Sequence, residues 1–191
     1  MRTLVFATNN KHKLEEVQAM VGDRYQLKTL EEIGCLDDIP ETGDTFRDNA
    51  SQKSHYIWDR FTVDCFSDDS GLEVDSLNGE PGVYSARYSG SRDAEENLQL
   101  VLDKMNGITN RAARFKCIIS LILDGKEHFF EGVVEGEITE GRSGSAGFGY
   151  DPIFRPKGYN LSFAEMPAEE KNKISHRAQA VAQLVDFLNK Q

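Results

Sequence analysis

Hydrophobic and polar residues alternate along the chain with two periods, and these predict its strands and helices. Short β-prone apolar runs predict strands at 3–8, 25–30, 63–66, 72–74, 114–123 and 127–139. Apolar residues at helical spacing predict helices at 13–21, 45–61, 93–105 and 175–189. The two longest strands are separated by Asp124-Gly125-Lys126, a typical hairpin turn, so we expect them to be antiparallel neighbours. This mixture of β–α units with a long hairpin predicts an α/β fold on a mixed sheet.

Length and composition narrow the class of protein. The chain has 191 residues, 39% hydrophobic and 28% charged, as expected for one globular domain spanning 1–191. The apolar run after Met1-Arg2 is too short for the core of a secretion signal, and the longest apolar stretch, 117–123, is interrupted by Ser120. We therefore expect a cytoplasmic protein without a membrane segment. The three cysteines lack CxxC spacing, which predicts buried, reduced thiols rather than disulfides or a zinc site.

The net charge restricts the choice of partner. A formal charge of -10 argues against binding to nucleic acid or to anionic membranes, since both require a basic surface. A nucleotide is also an anion, so the acidic net charge of the protein would repel it. A site for a nucleotide would therefore have to gather lysines and arginines locally and add a metal ion.

The first candidate site lies at 8–13, where a strand turns into a helix. Backbone N–H groups at a helix start lack partners and the helix dipole is positive there, so Thr8, Asn10 and Lys13 suit a phosphate. The alternative is an ordinary N-cap asparagine followed by solvated lysines.

The second candidate site is the acidic segment 67–71 after an apolar strand. Carboxylates beside a glycine turn can hold Mg²⁺, which prefers oxygen ligands. Neighbouring strand residues face opposite ways, so Asp68 and Asp69 cannot both enter one site unless the strand has ended, and we assign the role to Asp69. The alternative is an acidic turn that caps the strand.

A third candidate site runs from Glu41 into the following helix. Asn49 and Lys53 are four residues apart and share a helix face, so an amide and an ammonium could reach one ligand together. Glu41 lies in the preceding loop. A solvated amphipathic helix with an acidic cap is the alternative.

Two further segments carry aromatic and cationic groups. The glycine-rich stretch at 141–149 ends at Phe148, whose ring could stack on a base; a plain loop anchored by the phenylalanine is the alternative. Lys171, His176 and Arg177 can all donate hydrogen bonds near the start of the last helix, where Ser175 is the expected N-cap. The alternative for His176 is a surface or capping histidine.

Six ordered blocks together resemble the inosine triphosphate pyrophosphatase family. They are TNNKHK at 8–13, ETGDTFRDNASQK at 41–53, SDDSGLEVD at 67–75, PGVYSARYSG at 81–90, GFGYDPIF at 147–154 and EEKNKISHR at 169–177. Their order and spacing match over essentially the whole chain. The resemblance implies a mixed, curved central sheet with flanking helices, two lobes around a nucleotide-binding cleft, and a homodimer. It also implies Mg²⁺-dependent hydrolysis of noncanonical purine nucleoside triphosphates (ITP, dITP, XTP) to the monophosphate and pyrophosphate.

The resemblance also implies a role for each matching residue. Asp69 would be the catalytic carboxylate, and Ser70 would contact the substrate. The phosphates would be held by Thr8, Asn9, Asn10, Lys11, His12 and Lys13. The base and its surroundings would be held by Phe148, Gly149, Tyr150, Asp151, Lys171, His176 and Arg177.

Two positions depart from the family pattern. Asn9 replaces a glycine that many relatives have, although asparagine tolerates left-handed backbone better than most residues. Relatives often carry a metal-binding glutamate three residues before the glycine that is Gly43 here, but this chain has Pro40 there and a glutamate one residue later. Glu41 is therefore our candidate for the second metal ligand beside Asp69.

These assignments combine into a hypothesis for the reaction. Mg²⁺ held by Asp69 and Glu41 would bridge the phosphates, Lys13 and Lys53 would neutralise the leaving pyrophosphate, and water would attack the α-phosphorus. Asp69 could be a metal ligand or the base that takes the water's proton. Donors around the base would favour the 6-keto group of inosine and xanthine over the 6-amino group of adenine.

Two other functions remain open at this stage. A nucleotide-binding module would hold the substrate without cleaving it. A Mg²⁺-dependent phosphomonoesterase would release orthophosphate instead of pyrophosphate.

Overall fold

The computed structural model describes residues 2–191, except the side chain of His12. Its strands are β1 (Arg2–Phe6), β2 (Tyr25–Lys28), β3 (Cys65–Val74), β4 (Ala112–Leu123), β5 (Lys126–Ile138) and β6 (Phe154–Pro156). Its α-helices are α1 (Lys11–Val21), α2 (Phe46–Phe61), α3 (Ala94–Lys104), α4 (Ala168–Ile174) and α5 (His176–Asn189). Short 3-10 helices occupy Gly22–Arg24, Glu31–Ile33, Asp75–Leu77, Gly82–Arg87 and Asp151–Ile153.

The strands form one six-stranded sheet with the order β2-β1-β3-β4-β5-β6. Strand β1 is parallel to β2 and to β3, with Val5 opposite both Lys28 and Cys65. Strand β5 is antiparallel to β6. The two-residue turn between β4 and β5, Asp124-Gly125, has positive φ at both positions, as tight hairpins require. The predicted α/β class, with a mixed sheet and flanking helices, is therefore confirmed.

The chain divides into two compact units. Unit 1 comprises Met1–Asp69, Ile118–Glu131 and Ala180–Gln191, and unit 2 comprises Ser70–Cys117 and Gly132–Gln179. The core of unit 1 includes a cluster formed by Val5, Ala7, Leu30, Cys35, Ile57, Cys65 and Ile122. The rings of Phe6 and Phe66 also stack in this unit, with centroids 4.4 Å apart. Strand β1, the end of β4 and one face of α2 thus bury their apolar side chains together.

The core of unit 2 is richer in aromatic residues. Phe115, Phe154 and Phe163 pack together with ring centroids 4.6 to 6.0 Å apart. Leu98 and Val101 of α3 and the C-cap residue Met105, together with residues of β3 and β5, complete this buried cluster. Buried aromatic pairs of this kind stabilise a core beyond the area that they bury.

Side-chain caps fix where the longer helices begin. Thr45 accepts a hydrogen bond from the backbone N–H of Asp48 at the start of α2. Asp93 accepts two at the start of α3, from Glu95 and Glu96. Ser175 accepts one from Ala178 at the start of α5, as predicted.

The structure differs from the sequence-based prediction along β3, which is one continuous strand rather than two strands joined by an acidic turn. The strand continues because its buried polar side chains have partners. Ser67 donates to the carbonyl of Ala50, and Asp68 pairs with Lys13. The helix α4 and the three-residue strand β6 were also not predicted.

Two further predictions concern the cysteines and membrane-spanning segments. Cys35, Cys65 and Cys117 are all buried, as predicted. No helix in the part of the chain that the structure describes is both long and apolar enough to cross a membrane.

Candidate functional site

The start of α1 in unit 1 combines a capped helix end with a paired lysine. Asn10 is the N-cap, and its side chain accepts a hydrogen bond from the N–H of Lys13 at 3.2 Å. Thr8 accepts one from the N–H of Asn10 at 3.1 Å. Asn9, Asn10 and Lys11 are exposed, and the side chain of His12 lies outside the described residues. Phosphate binding by this segment stays a prediction.

Strand β3 carries the two aspartates of the second candidate site in opposite directions. Asp68 is buried and pairs with the ammonium of Lys13, whose Nζ lies 2.9 and 3.1 Å from its two carboxylate oxygens. Asp69 accepts a hydrogen bond at 3.0 Å from the amide of Asn49 on α2. Because both residues lie within an extended strand, the two carboxylates serve different partners.

Lys53 links the acidic groups of unit 1. This lysine of α2 is buried, and its Nζ lies 2.6 Å from Glu41 Oε1 and 2.6 Å from the carbonyl oxygen of Asp68. Burial lowers the pKa of Lys53, but Asp68, Glu41 and Asp69 outweigh that effect and raise it above its ordinary value. Lys53 is therefore a fixed positive charge among three carboxylates.

The side chain of Asn49 forms hydrogen bonds through both its nitrogen and its oxygen. Its Nδ2 donates to Asp69, and its Oδ1 accepts from the N–H of Gly43 at 2.7 Å. The residue is 1% exposed. Asn49 and Lys53 share a helix face, as predicted, and the structure brings both to the acidic groups around Asp69. Substrate binding by Asn49 stays a prediction.

Asp69 is a partly buried carboxylate with a raised pKa. Burial raises its pKa to about 6, assisted by the nearby charge of Glu41, while Lys53 and the hydrogen bond from Asn49 act in the opposite direction. A carboxylate with this pKa is a better proton acceptor near neutral pH than an ordinary aspartate. The role of Asp69 as a general base stays a prediction.

The same groups suit a hard cation. Glu41 and Asp69 offer carboxylate oxygens, and Mg²⁺ is usually held by one or two carboxylates together with substrate phosphates and water. Burial is the largest cause of the raised pKa of Asp69, and the nearby charges of Glu41 and Asp68 add to it. Among the described residues, no group of three or more His, Cys, Asp or Glu side chains is arranged to hold a metal by itself. The donor set therefore fits Mg²⁺ bound jointly with a phosphate-bearing ligand.

The candidate site in unit 2 is organised around the ring of Phe148, which is 52% exposed. The Nζ of Lys171 lies 4.8 Å from the centre of this ring, and the guanidinium carbon of Arg177 lies 5.6 Å from it. Two cations against one partly exposed aromatic ring form a platform on which a flat, polar ring system could stack. Of the predicted residues, Phe148, Lys171 and Arg177 are thus close together.

Asp151 holds Phe148 and Lys171 in place by hydrogen bonds. Its carboxylate accepts hydrogen bonds from the N–H of Phe148 at 3.1 Å and from Lys171 at 2.6 Å. Gly147 has a φ of 75°, and a β-carbon there would collide with the carboxylate of Asp151. Position 147 therefore requires glycine for two reasons, because its φ is positive and because Asp151 lies too close for a β-carbon.

The remaining predicted residues of unit 2 have different environments. His176 is buried, with its ring stacked on Phe115 at 4.9 Å, so it is not the surface histidine that its position alone would suggest. The side chain of Tyr150 is also buried, and its hydroxyl donates to the carbonyl of Ser85. Gly149 has a φ of 60°, and Ser70 is half-buried on β3.

Sequence reasoning missed the residues that hold the candidate groups in place. Asp68 was set aside, yet it is the partner of Lys13. Gln52 was overlooked, although it bonds twice to Thr42 beside Glu41. Only the helical spacing of Gln52 from Asn49 could have drawn attention to it, because the partner of Gln52 lies in an irregular loop.

The chain is similar to known proteins over nearly its whole length. The model of the Ham1 family matches residues 4–187. The chain is 50% identical over 186 residues to a dITP/XTP pyrophosphatase of Flavobacterium johnsoniae, covering 97% of each protein. It is 50% identical over 190 residues to the dITP/XTP pyrophosphatase of Porphyromonas gingivalis, covering 98% of each.

The chain is also similar in fold to solved structures. The Ham1 protein of Staphylococcus aureus superposes with a TM-score of 0.94 at 39% identity, covering 99% of both chains. A HAM1 protein of Coxiella burnetii gives 0.95 at 36% identity over the full length of both. Since a family model, curated relatives and solved structures agree over nearly the whole length, the chain belongs to the Ham1 family.

Proposed function

We propose that this protein hydrolyses noncanonical purine nucleoside triphosphates such as ITP, dITP and XTP to the monophosphate and pyrophosphate. Curated relatives at up to 50% identity are named dITP/XTP pyrophosphatases. The observation in the molecule that carries the proposal is Asp69. This carboxylate has a pKa raised to about 6 and lies in an acidic cluster with a buried lysine.

Residues of unit 1 act on the triphosphate in this proposal. Asp69 orients the attacking water and accepts its proton as the water adds to the α-phosphorus. Lys53 stays protonated and offsets the negative charge that develops on the leaving pyrophosphate, as Lys13 does once it exchanges Asp68 for a phosphate oxygen. Glu41 and Asp69 would hold Mg²⁺, which supplies Lewis-acid polarisation of the phosphoryl oxygens.

Residues of unit 2 recognise the base in this proposal. Phe148 stacks on the purine, and the remaining N–H groups of Lys171 and Arg177 donate to the 6-keto oxygen of inosine or xanthine. Adenine presents a 6-amino group, which would leave such donors unpaired. Guanine shares the 6-keto group, so it must be rejected at its 2-amino group by another donor or by a steric wall.

A panel of nucleotides tests the proposal. Purified protein is incubated with ITP, dITP, XTP, GTP or ATP, with Mg²⁺ or with EDTA, and the products are identified by chromatography. We expect monophosphate and pyrophosphate from the first three, only with Mg²⁺, and a much lower kcat/KM for GTP and ATP. Orthophosphate as the first product would support a phosphomonoesterase. Nucleotide binding without any product would support a binding module. Equal kcat/KM values for ITP, GTP and ATP would refute the base pocket.

Phe148→Ala tests the stacking platform. Base stacking on an aromatic side chain contributes about 1–3 kcal/mol in proteins that bind single strands, so we expect KM for dITP to rise about tenfold while kcat changes little. Steady-state kinetics measure both values. Tyr159→Ala is the control, since Tyr159 is another exposed aromatic residue of unit 2. An unchanged KM in Phe148→Ala would contradict the assignment.

The family resemblance supports two further parts of the proposal, a homodimer and a cytoplasmic location. Light scattering coupled to gel filtration distinguishes the 21.5 kDa chain from a pair.

A further inference from the structure

The loop segment 41–43 in unit 1 is bound to α2 at each of its three residues. Glu41 accepts from the ammonium of Lys53, and the N–H of Gly43 donates to the side chain of Asn49. Between them, Thr42 is held by Gln52. The loop also approaches the helix closely, because a β-carbon at Gly43 would lie 2.6 Å from the β-carbon of Asp48.

The bonds between Thr42 and Gln52 are reciprocal. The N–H of Thr42 donates to Gln52 Oε1 at 2.9 Å, and Gln52 Nε2 donates to Thr42 Oγ1 at 3.0 Å. One carboxamide thus binds the backbone and the side chain of the same loop residue. Two bonds to a planar group restrict both the position and the orientation of Thr42, which a single bond would not do.

The residue next to Thr42 is Glu41, the candidate second ligand of the metal. Its side chain is 34% exposed, and the structure describes one hydrogen bond that it accepts, from Lys53. Lysine is a flexible point-charge partner, so this bond alone does not fix the direction of the carboxylate. The backbone on which Glu41 stands is fixed by Gln52.

We propose that Gln52 is a positioning residue that holds Glu41 in place for the catalytic metal through its reciprocal pair with Thr42. The inference rests on the proposed function. It assigns no chemistry to Gln52, which touches neither Asp69 nor the reacting groups. Residues that orient metal ligands typically change metal affinity 10–100-fold when they are replaced.

Gln52→Leu removes both bonds and keeps a side chain of similar size with good helix propensity. Gln18→Leu is the matched control. The carboxamide of Gln18, on α1, also makes two bonds, accepting from the N–H of Leu27 and donating to the carbonyl of Gly22. The chemical change and the number of lost bonds are therefore the same in both variants, but only one lies beside Glu41.

The first measurement uses metal-free protein and Mn²⁺ as the probe. Titration followed by electron paramagnetic resonance gives the Kd for Mn²⁺, and we expect an increase of about tenfold in Gln52→Leu and none in Gln18→Leu. Amide hydrogen exchange without metal gives a second readout. The N–H of Thr42 should exchange faster in Gln52→Leu, while amides in the middle of α2 keep their protection.

The kinetic readout separates positioning from loss of fold. In Gln52→Leu, the Mg²⁺ concentration for half-maximal dITP hydrolysis should rise about tenfold, with kcat at saturating Mg²⁺ falling less than twofold. Thr42→Ser keeps both bonds and should resemble the wild type. Thr42→Val removes only the bond at Oγ1 and should be intermediate, and combining it with Gln52→Leu should add little further effect.

Several outcomes would overturn the inference. An unchanged Kd for Mn²⁺ in Gln52→Leu would do so, and so would an equal increase in Gln18→Leu. If the wild type releases pyrophosphate from dITP but binds no Mn²⁺, the inference fails while the hydrolase proposal stands. If the wild type releases no pyrophosphate from any purine nucleotide, the proposed function itself fails.

Discussion

Asp69→Asn should abolish pyrophosphate release from dITP, with a loss in kcat of at least about a thousandfold. The carboxamide keeps an oxygen that can accept from Asn49, but it cannot take a proton from water and binds a cation weakly. Coupled-enzyme detection of pyrophosphate measures the loss. Asp59→Asn, a change at an exposed position of α2, is the control for the substitution itself. Turnover near that of the wild type in Asp69→Asn would remove the residue from the mechanism.

The same variant should be more stable than the wild type when metal is absent. Burial raises the pKa of Asp69 from its ordinary value of 3.8 to about 6, so the folded protein favours the protonated form. Below about pH 4 the group is protonated in both states and adds no penalty. As the pH rises from about 4 to 6, the unfolded chain loses this proton while the folded protein still holds it, so the free energy of unfolding falls by about 3 kcal/mol, a penalty that Asp69→Asn relieves. Urea denaturation in EDTA at pH 4 and pH 7.5 should show this gain only at the higher pH.

Lys53→Met should be the second most damaging substitution. It removes a buried cation that bonds to Glu41 and to the backbone of Asp68, and leaves Glu41 and Asp69 without its positive charge, while Asp68 keeps Lys13. Breaking a buried ion pair costs about 3–5 kcal/mol, so we expect a loss of stability of this order at neutral pH. The kcat/KM for dITP should fall at least about a hundredfold, since the ammonium also stabilises the leaving pyrophosphate.

Two measurements separate these effects of Lys53→Met. Urea denaturation gives the free energy of unfolding, and kinetics below the unfolding range give kcat/KM for the folded fraction. Lys190→Met is the control, since the pair of Lys190 with Asp186 is exposed at the C-terminal end of α5 and should contribute little. A variant that is less stable but hydrolyses dITP normally would restrict Lys53 to a structural role.

Local signals in the sequence predicted most of the fold. The periodicity of apolar residues placed β1, β2, β4, β5 and four of the five α-helices, and it placed β3 as two separate strands. Ser175 was correctly predicted as the N-cap of the last helix. The acidic segment at 67–71 was misjudged because composition suggested a turn. Its polar side chains are instead satisfied by distant partners, and Lys13 lies 55 residues from Asp68. Sequence patterns cannot show such pairing.

The sequence predicted which residues form the candidate site more completely than it predicted how they are held in place. Residue types and spacing identified Asp69, Lys53 and Phe148. The groups that orient them were not visible, because they act through irregular loops. Thr42 has no pattern that connects it to Gln52 ten residues later, and the contact of Gly147 with Asp151 depends on a positive φ that only coordinates reveal.

The buried cysteines have a practical consequence for studying this molecule in solution. Burial raises the pKa of the Cys65 thiol to about 12, and the thiolate is the form that reacts with alkylating reagents and oxidants. Modification of the native protein must therefore wait for local opening. Cys35 and Cys65 lie in unit 1 and Cys117 lies in unit 2. Alkylation rates measured by peptide mass spectrometry would thus report local opening in each unit without any engineered label.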